Sequence, residues 1–209
     1  MNDSLNLDYL LVKTKTVLLE LIKTAPFLQN YVLVGGSALA LHLCHRQSKD
    51  LDFFTYADSF QKQDILHYLK HFKHTEVLND NTDQLDLLID GVKVTFFNAQ
   101  WAFLRPSTVG TLNVASLEAI AAMKTNTLFL RAKYRDYYDL YCLVKHGMSI
   151  KGIFTAAQGV VDGISYKLLC IALLYIDDIE DDNIAYLQPK EVVSKQQIRA
   201  FFEKNIQGE

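Results

Sequence analysis

Between residues 31 and 54 the chain runs through an apolar segment, a glycine turn, a helical segment and a second apolar segment. Residues 31–34 are apolar and rich in valine, which is typical of a buried strand. Residues 35–37, Gly-Gly-Ser, interrupt that strand, and residues 38–43 have the composition of a helix that Ser37 is expected to cap. The order strand, glycine turn, helix and strand predicts an α+β fold.

The turn formed by Gly35, Gly36 and Ser37 offers the groups that hold a chain of phosphates. Glycines allow a ligand to approach the backbone closely, and the start of a helix presents free N–H groups with a positive dipole end. Ser37 adds a hydroxyl donor. A Gly-Gly-Ser turn on its own is usually only a turn, so its meaning depends on the residues that follow.

Two aspartates, Asp50 and Asp52, follow the turn in the predicted strand 50–54. Residues two apart on a strand share one face, so the two carboxylates form a hard-oxygen site suited to Mg²⁺. Their mutual repulsion also calls for a cation. An isolated Asp-x-Asp is usually solvated surface, but here it follows a phosphate-binding type of turn in one short stretch. The combination indicates phosphate chemistry.

The remaining pattern divides the chain into a mixed first part, residues 1–110, and a helical second part, residues 111–209. Asp90-Gly91 lies between two apolar runs and predicts a type I′ hairpin over residues 85–97. Helices are predicted over residues 8–24, 58–73, 111–146 (as one helix or two), 150–182 (as a pair) and after Pro189.

A second block concentrates charge in the otherwise apolar stretch 111–146. In one unbroken helix, Lys124, Arg131 and Arg135 would share a face and present cations to phosphates. Asp136 and Asp139 would add carboxylates near that face. The alternative is a solvated helix surface with salt bridges four residues apart, such as Arg135 with Asp139. The tyrosines of this block are expected to pack in the core rather than stack on bases: Tyr134, Tyr137, Tyr138 and Tyr141.

Composition narrows the choice of partners. The formal net charge is −3, and nucleic-acid binders usually carry a basic excess, so bulk charge gives no support for RNA or DNA. The amino-terminal residues lack a signal-peptide pattern and no apolar run reaches the length of a membrane span, so a cytoplasmic location without membrane contact is expected. The three cysteines have no zinc or disulfide spacing and are expected to be buried thiols.

The sequence resembles the AbiEii/AbiGii-type toxin nucleotidyltransferases, a branch of the DNA polymerase β-like superfamily. The resemblance implies a small mixed nucleotidyltransferase sheet flanked by helices, with a helical C-terminal region. It also implies Mg²⁺-dependent transfer of a nucleoside monophosphate from an NTP, in some members to the end of tRNA, and growth arrest reversed by a cognate antitoxin. The matching residues are Gly35, Gly36, Ser37, Ala38, Leu39, Arg46, Ser48, Asp50, Asp52 and Phe54, with a second block from Lys124 to Tyr141.

The resemblance also implies a separate role for each group of site residues. Asp50 and Asp52 hold Mg²⁺, and the glycine turn holds the outgoing phosphates. Lys124 offsets charge on the triphosphate and is expected to serve activity rather than stability. Asp136 and Asp139 order that lysine or contact the nucleotide. The expected nucleotide-binding residues are Gly35, Gly36, Ser37, Arg46, Arg131 and Arg135.

One position departs from the superfamily pattern, which places a third carboxylate on a later strand. Thr95 stands there. The Asp90-Gly91 turn would set Asp86 opposite Thr95 on the same sheet face, so Asp86 is a candidate substitute, the alternative being a solvated edge residue. Because Thr95 is not a carboxylate, it favours the alternative that the protein is a catalytically inactive nucleotide-binding or interaction module. The negative net charge favours a second alternative, an antibiotic-type enzyme that acts on a small molecule rather than on tRNA.

Overall fold

A computed structural model describes residues 6–55, 60–101, 103–104, 106–109, 112–179 and 184–208. The chain forms two compact units, Met1–Ser116 and Leu117–Glu209. The sequence pattern placed the division at residues 110 and 111. The two positions differ because residues 112–115 form a strand that pairs with the sheet of the first unit.

The first unit is built on a seven-stranded mixed sheet, in agreement with the predicted fold class. The strands are β1 (Val32–Val34), β2 (Leu51–Thr55), β3 (Thr75–Asp80), β4 (Gln84–Ile89), β5 (Val92–Asn98), β6 (Pro106–Val109) and β7 (Leu112–Ala115). Their order in the sheet is β3-β4-β5-β2-β1-β7-β6. The pairs β2–β5 and β1–β7 are parallel, and the other neighbours are antiparallel.

Three α-helices accompany this sheet: α1 (Val12–Thr24), α2 (Gly35–Leu43) and α3 (Lys62–Tyr68). Helix α1 buries Val17, Leu18 and Leu21 at helical spacing, which explains why this amphipathic segment was predictable. Pro26 begins a 3₁₀ helix rather than continuing α1, because proline lacks the N–H that an interior helical position must donate.

The two faces of the sheet differ in chemistry. On β2, β4 and β5 the alternate residues are completely buried and apolar, as in Phe53, Leu87 and Phe96. The Phe53 and Phe96 rings stack with centroids 5.4 Å apart, and each ring contributes on the order of 1.5–3 kcal/mol through burial. The opposite face carries the polar residues of the candidate site, including Asp52 and Thr95.

The β4–β5 hairpin confirms the predicted turn and register. Asp90 and Gly91 have φ values of +47° and +83°, as a type I′ turn requires. Asp86 pairs with Thr95, as expected from counting back along the two strands. Asp86 is buried and β3 covers the outer side of β4, so the alternative of a solvated edge residue is wrong.

The helical unit contains α4 (Leu117–Leu130), α5 (Tyr134–Lys145), α6 (Ile150–Ala157), α7 (Tyr166–Leu174) and α8 (Lys195–Gln207). The stretch predicted as helical from residue 111 begins as strand β7, and the rest is two helices. Ala132, at φ +44°, lies in the break between α4 and α5. Lys124 and Arg135 therefore lie on different helices, and the prediction that one unbroken helix aligns them is wrong.

Three further predictions concern the tyrosines of the second block, the cysteines and membrane-spanning helices. Tyr134, Tyr137, Tyr138 and Tyr141 are buried, as predicted. The three cysteines are half-buried, where full burial was predicted. In the described ranges no helix combines the length and apolar character needed to cross a membrane.

Candidate functional site

The start of α2 forms one wall of the site. The helix begins at Gly35, three residues earlier than predicted, and its N-cap residue, Val34, makes no side-chain capping bond. Ser37 is therefore not the cap. The first N–H groups of a helix have no partner within it, so this nine-residue helix presents donors and a positive dipole end at the turn.

Gly35 lies against the Asp52 carboxylate. A Cβ atom added to Gly35 would be 2.8 Å from Asp52 Oδ2, and the Gly35 φ of +67° disfavours any residue with a side chain. The register of β1 with β2 sets this contact, because Val34 pairs with Asp52 across the two strands. Anion-binding amides and a carboxylate thus adjoin at one point of the sheet.

Gly36 packs against Arg46 and Ser48. A Cβ atom added there would be 2.9 Å from Arg46 Nη2 and 3.3 Å from Ser48 Oγ. Arg46 is only 2% exposed, and its Nη1 donates to the Gln47 carbonyl at 2.9 Å. The guanidinium that the sequence assigned to the nucleotide therefore lies against the turn, where its charge adds to the positive potential of the helix start.

Ser37 connects the turn to Asp50. Its hydroxyl donates a hydrogen bond to the Asp50 backbone carbonyl, and the residue is 1% exposed. The hydroxyl that was expected to reach a phosphate is thus engaged within the protein. Asp50 itself lies just before β2 and is half-buried. Sequence reasoning could not find this bond because its acceptor is a backbone atom brought close by the fold.

Asp52, Thr95 and Asp86 form a row across three neighbouring strands. Asp52 pairs with Thr95 in the parallel β2–β5 ladder, and Thr95 pairs with Asp86 in the hairpin. Directly paired residues project to the same face. Neighbouring strands lie about 4.8 Å apart, so the backbones of Asp52 and Asp86 are separated by roughly 9–10 Å.

The Asp86 carboxylate is fully engaged with its neighbours. Thr95 Oγ1 donates to Asp86 Oδ1 at 2.7 Å, and Gln84 Nε2 donates to Asp86 Oδ2 at 2.8 Å. Lys93 Nζ lies 3.9 Å from Asp86 Oδ1. Sequence reasoning missed Gln84 and Lys93, although each lies two residues from Asp86 or Thr95 and so on the same strand face.

The candidate donors for a metal ion are the carboxylates of Asp50 and Asp52. Within the part of the chain that the structure describes, no three His, Cys, Asp or Glu side chains are arranged to hold a metal ion. Asp86 therefore does not complete a three-carboxylate site there. Mg²⁺ usually binds through one or two carboxylates together with substrate phosphates and waters, and two aspartates beside an anion-binding turn fit that requirement.

The second predicted block forms a buried ion cluster in the helical unit. Lys124 Nζ lies 3.0 Å from Asp136 Oδ1 and 2.6 Å from Asp139 Oδ2. Arg131 donates from Nε and Nη2 to the two oxygens of Asp136, each at 3.1 Å. The Lys124 side chain is 7% exposed and those of Asp136 and Asp139 are completely buried.

This cluster corrects one expectation and leaves another untested. Removing Lys124 would take a shared cation from two buried carboxylates, so the lysine is a stabilising residue as well as a candidate active-site residue. The contact with the nucleotide that the resemblance implies for Lys124, Asp136, Asp139, Arg131 and the half-buried Arg135 stays a prediction. The Arg131 side chain is 42% exposed, so it is the cluster's most accessible group.

The electrostatics of the cluster lower the pKa of Asp136. Burial alone would raise the pKa of this carboxyl, but the Lys124 charge and the hydrogen bonds and charge of Arg131 outweigh that effect. The nearby Asp139 opposes the shift. Asp136 is therefore held in its charged form although no part of its side chain reaches solvent.

Comparison with known proteins identifies the family. The model of the AbiEii nucleotidyl transferase toxin family, described as the toxin of a type IV toxin–antitoxin system, matches residues 16–102 and 100–204. This chain belongs to the AbiEii family. The family assignment makes it a nucleotidyltransferase and agrees with the resemblance carried by the glycine turn and the paired aspartates.

Individual relatives span most of the chain at low identity. An uncharacterized protein of Aquifex aeolicus is 26% identical over 201 residues, which are 94% of this chain and 96% of the relative. Among solved structures, JHP933 from Helicobacter pylori aligns with a TM-score of 0.60 and 15% identity, covering 98% of this chain and 94% of that one. The nucleotidyltransferase toxin MenT4 from Mycobacterium tuberculosis aligns with a TM-score of 0.58 and 21% identity, covering 87% and 77%. These structures share the fold of this AbiEii family member.

Proposed function

We propose that this AbiEii family protein transfers a nucleoside monophosphate from an NTP to an acceptor hydroxyl, with Mg²⁺ held by Asp50 and Asp52. The contact between Gly35 and the Asp52 carboxylate carries the proposal. Because helix-start amides adjoin that carboxylate, phosphates bound at α2 would lie beside the metal ligands. In-line attack on the α-phosphate then needs positioning and charge stabilisation more than covalent chemistry from the protein.

The other candidate site residues of the first unit also have roles in this scheme. The amides at the start of α2 bind the outgoing phosphates, and the Ser37 hydroxyl holds the Asp50 backbone in place. The buried Arg46 guanidinium supports the turn and adds positive potential next to it. Mg²⁺, when bound, neutralises phosphate charge and so favours bond formation at the α-phosphorus.

The test is transfer of label from each of the four NTPs, with Mg²⁺ and total cellular RNA, by the wild type and by Asp50→Asn and Asp52→Asn. Both substitutions keep the side-chain shape and remove the charge. We expect each to abolish transfer while the melting temperature stays close to that of the wild type. Asp83→Asn, at an exposed aspartate of the same unit, is the matched control and should remain active. Near-normal turnover in both variants would place the metal site elsewhere.

We propose tRNA as the acceptor and a cognate antitoxin as the cellular counterpart, acting in the cytoplasm where NTPs and tRNA are found. The support is membership of a family described as type IV toxin–antitoxin toxins. Label should therefore appear in the tRNA size range on a denaturing gel. Expression should arrest growth, and the Asp52→Asn variant should not. Label confined to other RNAs would exclude tRNA.

The second candidate acceptor is a small hydroxylated compound of the antibiotic type. The formal net charge of −3 favours it, because a polyanionic acceptor is repelled by a negative protein unless a local basic surface compensates. The same labelled reactions with hydroxylated antibiotics in place of RNA, separated by thin-layer chromatography, distinguish the two. Transfer to an antibiotic but not to RNA would replace the tRNA proposal.

A further inference from the structure

We infer that Thr95 and Asp86 form a proton relay that deprotonates the attacking hydroxyl, replacing the carboxylate that superfamily members carry at the position of Thr95. The inference rests on the proposed function and adds the identity of the proton acceptor. It differs from a direct role for Asp86, because here the substrate meets Thr95 and the proton reaches Asp86 through it.

The strand register excludes Asp86 as the direct neighbour of the metal ligands. Thr95 is the partner of Asp52 on the adjacent strand, and Asp86 is one strand further away. At about 4.8 Å per strand, Thr95 lies within one strand spacing of Asp52 and Asp86 lies at two. A hydroxyl held near Asp52 for attack would therefore meet Thr95 first.

The hydrogen bond between the two residues has the direction that a relay needs. Thr95 Oγ1 donates its proton to Asp86 Oδ1 at 2.7 Å, and both residues are 7% exposed. A hydroxyl has one proton and two acceptor positions, so Thr95 can still accept a hydrogen bond from a second donor. A threonine alone is too weak a base, but it can accept a proton while it passes its own to a carboxylate.

The groups that surround the Asp86 carboxylate come from its own strand and from the neighbouring strands of the sheet. Lys93 Nζ, on β5, lies 3.9 Å from Asp86 Oδ1. The Gln84 amide, on β4, donates to Oδ2. On the far side, β3 places the neutral Asn79 opposite Asp86. Asp52 lies beyond Thr95 on β2 and is the remaining acid of this row.

The step balances because two protons move in it, each of them once. The acceptor oxygen forms a bond to the α-phosphorus while the bond from the α-phosphorus to the bridging oxygen of pyrophosphate breaks. The acceptor proton moves to Thr95 Oγ1, and the Thr95 proton moves to Asp86 Oδ1. Pyrophosphate leaves with the bonding electrons, and Asp86 later releases its proton to solvent.

Three variants separate a relay from a structural hydrogen bond. Asp86→Asn keeps an oxygen that accepts from Thr95 but cannot take a proton. Thr95→Val keeps the shape and removes the hydroxyl, and Thr95→Ser restores the hydroxyl. We expect Asp86→Asn and Thr95→Val each to lower kcat by about 100-fold or more, as loss of general-base catalysis does, and Thr95→Ser to keep most of the wild-type rate.

Two readouts accompany kcat. NTP affinity, measured by calorimetry with Mg²⁺, should be unchanged in all three variants, because neither residue binds the phosphates. Melting temperatures identify any variant that fails to fold, and the relay is then tested by whichever of Asp86→Asn and Thr95→Val remains folded.

The outcomes are distinct. If the wild type transfers label and Asp86→Asn does so at a near-normal rate, the relay is overturned and the proposed function stands. The hydrogen bond would then only position Thr95. A near-normal rate in Thr95→Val also overturns it. A wild-type protein that transfers no label from any NTP overturns the proposed function, and the relay with it.

Discussion

The Ser37 hydroxyl donates a hydrogen bond to the backbone carbonyl of Asp50, so one side chain holds the helix start to the first of the two paired aspartates. Ser37 belongs to α2 and Asp50 to the segment that enters β2. The bond therefore transmits any shift of the glycine turn directly to the carboxylate pair.

Ser37→Ala should weaken both folding and transfer. It leaves a buried carbonyl without its donor, which costs roughly 1–3 kcal/mol of unfolding free energy, and it releases Asp50. Denaturant unfolding and label transfer measure the two effects. Ser149→Ala is the control: Ser149 caps α6 through a 2.9 Å bond from the Gly152 amide, so it should lose about 1 kcal/mol and keep its activity. Equal activity in the two variants would contradict a positioning role for Ser37.

Gly35→Ala should abolish transfer at a modest cost in stability. Its left-handed backbone, at φ +67°, strains alanine by about 1–2 kcal/mol, and the new methyl would displace Asp52 Oδ2. Gly163 has nearly the same φ, +69°, with no atom within 4 Å of an added Cβ. Gly163→Ala should therefore show the same loss of unfolding free energy with normal transfer. Loss of transfer in both variants would point to strain alone.

Lys124→Met should be strongly destabilising. It leaves Asp136 and Asp139 buried without their shared cation, and breaking a buried ion pair in this way costs about 3–5 kcal/mol. Urea unfolding measures the loss. Lys167→Met, at an exposed lysine of α7, should change the unfolding free energy by about 0.5 kcal/mol at most. If Lys124→Met unfolds at the wild-type urea concentration, the cluster does not hold the helical unit together.

Acid should destabilise the protein partly through Asp136. Its pKa is lowered in the folded state from an ordinary value of 3.8, so its contribution to stability is present above that value. The contribution is lost as the pH falls through the lower, folded pKa. In unfolding curves recorded from neutral pH to about pH 2, Asp136→Asn should be less stable than wild type at neutral pH, and the difference should shrink in acid. A constant difference at every pH would contradict the shift.

The parts of the fold that were predictable are those set by local rules. The Asp90-Gly91 turn determines its own hairpin register, so the pairing of Asp86 with Thr95 followed from counting. Strand β3 escaped prediction because nearly all its residues are exposed, which removes the alternation that identifies a strand. The break between α4 and α5 has no proline or glycine and depends on Ala132 in a left-handed conformation.

The candidate site divides in the same way. The glycine turn and the paired aspartates could be predicted from residue type and spacing alone. The packing of Gly36 against Arg46 and the bond from Ser37 to Asp50 depend on segments that only the folded sheet brings together. Sequence reasoning therefore assigned Arg46 to the right region, and its packing against Gly36 is what the folded structure adds.

The two glycines are constrained from inside the protein. The atoms that an added Cβ would meet at Gly35 and Gly36 belong to Asp52, Arg46 and Ser48, not to a ligand. A relative that had lost its metal or its substrate would still need glycine at both positions for as long as those neighbours remained. In this chain the Gly-Gly pair therefore reflects how the sheet is packed, and the residues opposite Asp52 are the better place to look for a change of chemistry.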